Sequence, residues 1–194
     1  MAPRIFQVVG YKNSGKTTLL KKLVQYSSSI LEERVIYLKH HGHIEPLSQK
    51  ANDADSVQLY QNGAFAACVT GASQTQMHLN IELSLSQLID WHLFLEPDLI
   101  LIEGFKTEKY PKAVILKDEA DLNLLNLSNI KLIFVWDANI PLETELPVYH
   151  IKSWQNSIGD IYSCIKGGRK YEQTFLYYRK SHLNRENSRA SLTA

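Results

Sequence analysis

The sequence predicts an α/β fold of the P-loop NTPase type: a mainly parallel sheet with helices on both faces and one antiparallel hairpin. Three observations lead there. Apolar, β-branched runs alternate with amphipathic helical runs along the chain, as strands joined by crossover helices do. Gly10-Tyr11-Lys12-Asn13-Ser14-Gly15-Lys16-Thr17 fits G-x-x-x-x-G-K-[ST] and stands between a strand and a helix. Leu99-Ile100-Leu101-Ile102, the strongest buried-strand signal, runs directly into Glu103-Gly104-Phe105-Lys106 and so puts an acid at a strand's carboxyl end.

The elements follow in order. A first strand covers Arg4–Val9, and a helix covers Lys16–Tyr26 with Leu19, Leu20, Leu23 and Val24 on one face. That helix is expected to end in Ser27-Ser28-Ser29. A second strand, Arg34–Lys39, ends at Lys39-His40-His41-Gly42-His43. After a loop to Asn52, a short helix covers Asp53–Asn62 and is stopped by Gly63 as a left-handed cap. Ala64–Thr70 reads as a buried strand, Gly71-Ala72-Ser73 as a turn, and Gln74–Ile81 as the strand that pairs back.

Ser84–Leu95 is amphipathic, with Leu85, Leu88, Ile89 and Phe94 inward, and Pro97 prevents its continuation. Beyond Leu99–Ile102, Ala113–Leu116 is a short strand, Leu122–Leu127 a short helix or an irregular segment, and Lys131–Trp136 the last central strand. Val148-Tyr149-His150 is expected at a sheet edge, and Trp154–Ile165 as a closing helix ended by Gly167-Gly168. Residues 1–166 would form the nucleotide-binding domain. Residues 167–194 would be a C-terminal extension, partly mobile, with a basic end poor in apolar side chains.

Composition bounds the possibilities. At 194 residues, 44% hydrophobic and 21% charged, the chain has enough apolar content to bury a sizeable core. A net charge of +1 offers no field for nucleic acid or an anionic membrane surface, so neither partner is expected. Cys68 and Cys164 form no C-x-x-C pair, and Cys68, in an apolar run, reads as a buried free thiol in a reducing compartment. The longest apolar stretch is broken by Glu96, Pro97 and Asp98, and no secretory signal is visible, so a cytoplasmic protein is expected.

The phosphate loop explains its own residue types. Gly10 and Gly15 let the backbone turn and approach phosphates closely. Lys12, Asn13, Ser14 and Thr18 complete a run whose N–H groups, with the following helix N-terminus, can surround an anion. Lys16 can reach the β- and γ-phosphates, and the Thr17 hydroxyl can ligate Mg²⁺. The acid such a site needs is Glu103, because Asp98 stands at the opposite end of the same strand, ~13 Å away at ~3.3 Å per residue.

His40, His41 and His43 also follow a strand's carboxyl end. They read either as a phosphate-contacting loop or as a transition-metal site of imidazoles. Asp53 and Asp55 could hold metal-bound waters, or Asp53 could cap its helix. Asp137, after the last strong strand, could accept from guanine N1–H and the exocyclic amine, or simply form a turn before Asn139 and Pro141.

Taken together, Gly10–Leu19, Leu38-Lys39-His40-His41-Gly42-His43, Asp55-Ser56 and Leu101–Lys106 resemble the MobB family, the molybdopterin-guanine dinucleotide biosynthesis protein B proteins, over about residues 4 to 150. The resemblance implies a GTP-binding accessory protein with weak Mg²⁺-dependent GTPase activity. Such a protein assists the nucleotidyltransferase that joins GMP to molybdopterin, and it works as a homodimer. It further implies phosphate and metal roles for Lys16 and Thr17, a Walker-B-like role for Glu103, and a cleft lined by the histidine loop and Lys106. The alternatives are a non-catalytic adaptor that presents nucleotide or molybdopterin, and a nickel-insertion-type GTPase suggested only by the histidines. The loop 44–53 departs from the glycine- and lysine-rich run of many relatives. Tyr11, not lysine, follows Gly10, so Lys12 does not match the extra lysine of deviant phosphate loops.

Overall fold

The computed structural model describes residues 2–40, 58–59 and 61–167. The chain divides into two compact units, Met1–His40 with His92–Ala194, and His41–Trp91. The boundary expected after residue 166 falls at the edge of the described residues, and the extension beyond 167 lies outside them.

The larger unit is built on six strands: β1 (Arg4–Val9), β2 (Val35–Lys39), β5 (Leu99–Glu103), β6 (Lys112–Leu116), β7 (Ile130–Val135) and β8 (Val148–His150). They lie in the order β2-β5-β1-β6-β7-β8, and every neighbouring pair is parallel. Central parallel strands are covered on both faces, so they read as unbroken apolar runs rather than as alternation. All five residues of β5 and of β6 are buried accordingly.

The two faces are covered differently. Phe6, Val8, Leu101, Ile115 and Phe134 pack with Leu19, Leu20 and Leu23 of α1 (Lys16–Ile30) and with Ile161 and Ile165 of the C-terminal helix Ile158–Ile165. On the other face Val9, Val114, Leu116, Ile133 and Val135 pack with Leu124, from the 3-10 helix Glu119–Asn126, and with Ile140. Truncating a leucine such as Leu20 to alanine in a core of this kind typically costs about 2–5 kcal/mol.

In the smaller unit β3 (Ala66–Thr70) pairs antiparallel with β4 (Thr75–Leu79), and Gly71 N–H donates to the Gln74 carbonyl at 2.8 Å across the turn. The helix α2 (Leu85–His92) follows and runs on as the 3-10 turn Leu93–Leu95. The helix before Gly63 is described only at Gln58, Leu59 and Gln61, and Gly63 has the expected left-handed φ of 103°.

Several expectations are corrected. The first helix does not stop at Tyr26 but runs to Ile30, because the serine run satisfies itself there. Ser27 is buried and donates to Glu33 at 2.7 Å, and Ser28 Oγ donates back to the Val24 carbonyl at 2.8 Å. The 66–70 strand is not buried: its residues alternate between exposed and half-buried, as in a two-stranded sheet with little to cover it, and Cys68 is exposed while Cys164 is buried.

Phe94 points outward at 73% exposure, since the α-helix has tightened to 3-10 by that residue and the α periodicity no longer applies. The ambiguous 122–127 segment belongs to the 3-10 helix, which begins at Glu119. The closing helix starts with a 3-10 turn, Trp154–Ser157, before the α-helical α3 (Ile158–Ile165). No described helix is long and apolar enough to cross a membrane.

Candidate functional site

The strand register brings three carboxyl ends together. Val8 pairs with Glu103 across β1 and β5, and Lys39 pairs with Glu103 across β2 and β5. The loop leaving β1 is therefore beside the acid that ends β5, in the crevice where open parallel sheets bind ligands.

The loop itself is tightly wound. A Cβ on Gly10 would stand 2.5 Å from Ser14 Oγ and 3.2 Å from the Ile115 carbonyl oxygen, so only glycine fits. Ser14 is fully buried, and its Oγ has no protein partner. Gly15 caps α1, leaving the helix N-terminus open toward the loop. Lys16 curls back across the loop, its ammonium donating to the Tyr11 carbonyl at 2.7 Å, an interaction an incoming anion can displace. Burial, foremost, lowers the Lys16 pKa below its ordinary value; Glu103 opposes that shift, and the charges of Lys106 and Lys39 add to it. Lys16 and Lys39 thus lie within electrostatic reach of the Glu103 carboxylate, and Lys106 within reach of Lys16.

Side chains from other elements fix this loop from outside. Asn123 Nδ2 donates to the Tyr11 hydroxyl at 2.8 Å, and the Lys106 ammonium sits 3.8 Å from the centre of the Tyr11 ring, a cation–π contact. Trp136, the residue after β7, donates its indole N–H to the Ser14 carbonyl at 2.9 Å.

Glu103 is 4% exposed. Its Oε2 accepts from the Thr17 hydroxyl at 3.0 Å and from the Tyr37 hydroxyl at 2.7 Å, and its Oε1 lies 3.3 Å from the Lys39 ammonium. Burial alone would raise its pKa. The hydrogen bonds from Tyr37 and Thr17 and the charge of Lys39 outweigh burial and hold it below the usual carboxylate range. The same contact, after burial, raises the pKa of the Tyr37 phenol. Glu103 is thus a fixed anion with its lone pairs largely engaged, poorly suited to take up a proton.

The turn after Glu103 has a second support. Gln7, fully buried in β1, donates its side-chain N–H groups to the carbonyls of Gly104 and Phe105. Gly104 has φ of 89°, and a Cβ there would come within 3.2 Å of His40 Cβ. His40 N–H donates to the Glu103 carbonyl at 3.0 Å, and its ring lies 4.7 Å from that of Phe105. At the far end of the same connection, the buried Lys112 ammonium donates to the carbonyls of Glu108 and Ser128 at 2.7 Å each.

The structure therefore gathers Gly10, Ser14, Gly15, Lys16, Thr17, Glu103, Lys106 and His40 around one crevice. Lys12, Asn13 and Thr18 are exposed on the loop or on the first turn of α1, and Asn13 takes a left-handed φ of 60°. Asp98 is at the other end of β5, where it accepts from Arg34 N–H at 2.8 Å. Asp137 forms a turn: its Oδ1 accepts from both the backbone and side-chain N–H of Asn139 at 2.8 Å. His41, His43, Asp53 and Asp55 lie outside the described residues.

Sequence reasoning missed Gln7, Tyr37, Asn123 and the loop contact of Trp136. The signal available for Gln7 was a lone amide inside an apolar strand, since such a group must find partners when buried.

A magnesium ion fits the donor set. Thr17 and Glu103 offer hard oxygens side by side, and Mg²⁺ is usually held by one or two protein oxygens together with waters and substrate phosphates. The partnerless, buried Ser14 Oγ and the glycine-lined turn fit a phosphate in the same place. Among the described residues no group of three or more His, Cys, Asp or Glu side chains is arranged to hold a metal ion.

Comparison with known proteins gives concordant matches. The family model described as Molybdopterin guanine dinucleotide synthesis protein B (MobB) matches residues 5–137. The chain is 37% identical over 150 residues to a Bacillus subtilis protein named probable molybdopterin-guanine dinucleotide biosynthesis adapter protein, covering 75% of this chain and 84% of that relative. The crystal structure of Bacillus subtilis MobB superposes with a TM-score of 0.72 at 34% identity, covering 83% of this chain and 97% of the other. The structure of a MobB homolog from Bacillus stearothermophilus gives 0.68 at 30% identity, covering 84% and 99%.

Proposed function

The chain belongs to the MobB family, and from that premise we propose that it is a GTP-binding accessory protein of molybdenum-cofactor biosynthesis. In this reading it assists the nucleotidyltransferase that attaches GMP to molybdopterin, working in the cytoplasm as a homodimer with weak GTPase activity of its own. The observation that carries the nucleotide part is the junction of loop and acid: Thr17 Oγ1 stands 3.0 Å from Glu103 Oε2 beside the Lys16 ammonium.

The chain's residues divide the work. The N–H groups of the loop and of the first turn of α1 receive the phosphates, with Lys16 neutralising their charge. Thr17 and Glu103 would hold Mg²⁺, which when bound would supply neutralisation of phosphate charge. Lys39 and Lys106 add positive potential at the mouth, where a second anionic group such as a pterin phosphate would enter. Asp137 is the candidate guanine reader, since a carboxylate oxygen engaged in a turn retains capacity for a further donor.

Hydrolysis should be slow. Glu103, ionised and already accepting from Tyr37 and Thr17, is a weak proton acceptor. The two described arginines, Arg4 and Arg34, stand at the amino ends of their strands, so neither serves as an arginine finger. These observations favour the adaptor emphasis within the same reading.

A hydrolysis assay with purified protein and Mg²⁺-GTP tests this. Turnover well below the ~1 s⁻¹ lower end of ordinary enzymes is expected, together with stimulation of GMP transfer to molybdopterin when the protein is added to the nucleotidyltransferase. Fast turnover by the isolated protein, or no effect on transfer, would contradict the proposal.

A further inference from the structure

The Trp136 side chain reaches from the carboxyl end of β7 to the phosphate loop. It is 37% exposed, it follows β7 directly, and its backbone N–H is tied to the Leu116 carbonyl at 3.0 Å. Its indole N–H donates to the Ser14 carbonyl at 2.9 Å, and its six-membered ring lies beside Gly15, where a Cβ would meet it at 3.7 Å. The indole is thus fixed at its base by the sheet and at its tip by the loop.

The bond has a directional consequence. The Ser14–Gly15 peptide is planar and trans, so the Ser14 C=O and the Gly15 N–H point in opposite directions. Holding the carbonyl toward the indole therefore turns the Gly15 N–H away from it. Gly15 is also the cap of α1, where backbone N–H groups have no intrahelical acceptor. Without the indole, the peptide could rotate as a unit, since glycine at one end tolerates most backbone angles.

We propose that Trp136 is a positioning residue for triphosphate binding: by anchoring the Ser14 carbonyl, it aims the Gly15 N–H at the phosphate. This rests on the reading of Gly10–Thr17 as the phosphate site. It predicts a contribution to phosphate affinity that does not depend on the base, because the indole acts through the loop backbone and not through the nucleobase.

Trp136→Phe keeps an aromatic ring at this position and removes the indole N–H donor together with part of the ring area beside Gly15. Calorimetric titration with Mg²⁺-GTP, Mg²⁺-ATP and inorganic tripolyphosphate separates the possibilities. Affinity for all three should fall by a common factor of roughly two to ten, the range for one lost neutral hydrogen bond, while the GTP-to-ATP ratio stays as in the wild type. Equal affinities in both proteins would overturn the proposal. So would a changed GTP-to-ATP ratio with tripolyphosphate unaffected, which would make Trp136 a base-stacking platform instead.

If the wild type binds none of the three ligands, the phosphate-site reading itself fails, an outcome distinct from either of these. Should the variant not fold, the wild-type Trp136 indole N–H still reports on the coupling. Its hydrogen exchange should slow when tripolyphosphate binds, and an unaltered exchange rate would contradict the proposal.

Discussion

Glu103 shows how a single residue's chemistry is set by its neighbours. A carboxylate this buried would ordinarily be driven toward its neutral form, yet the donors Tyr37 and Thr17 and the cation Lys39 keep it charged. Tyr37→Phe removes one of those donors at nearly constant shape. The Glu103 titration, followed by carboxyl carbon NMR, should then move upward. The sign is fixed by linkage: a carboxylate with a lowered folded pKa stabilises above its unfolded pKa and loses that contribution as the pH falls through the folded value. Tyr37→Phe should accordingly make the protein less stable near neutrality than the wild type, with the difference shrinking in acid. An unmoved titration would show that the Tyr37 contact contributes nothing to holding the charge.

At the scale of elements, the amino end of the sheet carries an anchor of its own. Glu33, just before β2, accepts from Ser27 of α1 and from Tyr162 of α3, and forms ion pairs with Arg4 of β1 at 2.7 Å and Lys166 at 3.6 Å. Burial would raise its pKa, but the hydrogen bonds from Ser27, Tyr162 and Arg4 lower it to about 2. Folded and unfolded values then bracket roughly pH 2 to 4.5. The wild type should lose stability as the pH falls through that window. Glu33→Gln should flatten this part of the melting-temperature profile and, after allowance for solvent screening, cost about 1–2 kcal/mol at neutral pH. A variant whose acid limb matches the wild type would remove Glu33 from the account.

The same network marks where sequence reading stopped. The phosphate loop and Glu103 were legible because their spacing and their place at strand ends are local signals. Ser27 reads as a helix end, since serine disfavours helix interiors unless a partner holds it, and its partners are Glu33, beyond the helix, and the distant Tyr162. Tyr37, inside the apolar run Val35-Ile36-Tyr37-Leu38, likewise carries no local sign of a polar role. Only the register that sets Lys39 opposite Glu103 shows that the phenol two residues earlier can reach the carboxylate. Periodicity puts Phe94 inward and an apolar run does the same for Cys68, but neither signal carries information about what covers an element.

The whole larger unit has two differently made ends. The amino end of its sheet is closed by the Arg4–Glu33–Lys166 ion pairs, and the carboxyl end holds Lys16 and Lys39 about one fixed acid, with Lys106 over the Tyr11 ring. A buried parallel sheet with cationic side chains and an engaged acid at its carboxyl end suits binding and presentation of a nucleotide more than rapid turnover. That distinction sets the central claim of the proposed function, that Mg²⁺ and GTP would bind together at Gly10–Thr17 beside Glu103. The direct test is a calorimetric titration of GTP and ATP with and without Mg²⁺, using the wild type and Lys16→Ala. Mg²⁺-dependent binding that favours GTP and weakens more than about tenfold in Lys16→Ala, as expected for a lost charged hydrogen bond, is the predicted result. Binding that ignores both Mg²⁺ and Lys16, or no binding at all, would contradict it.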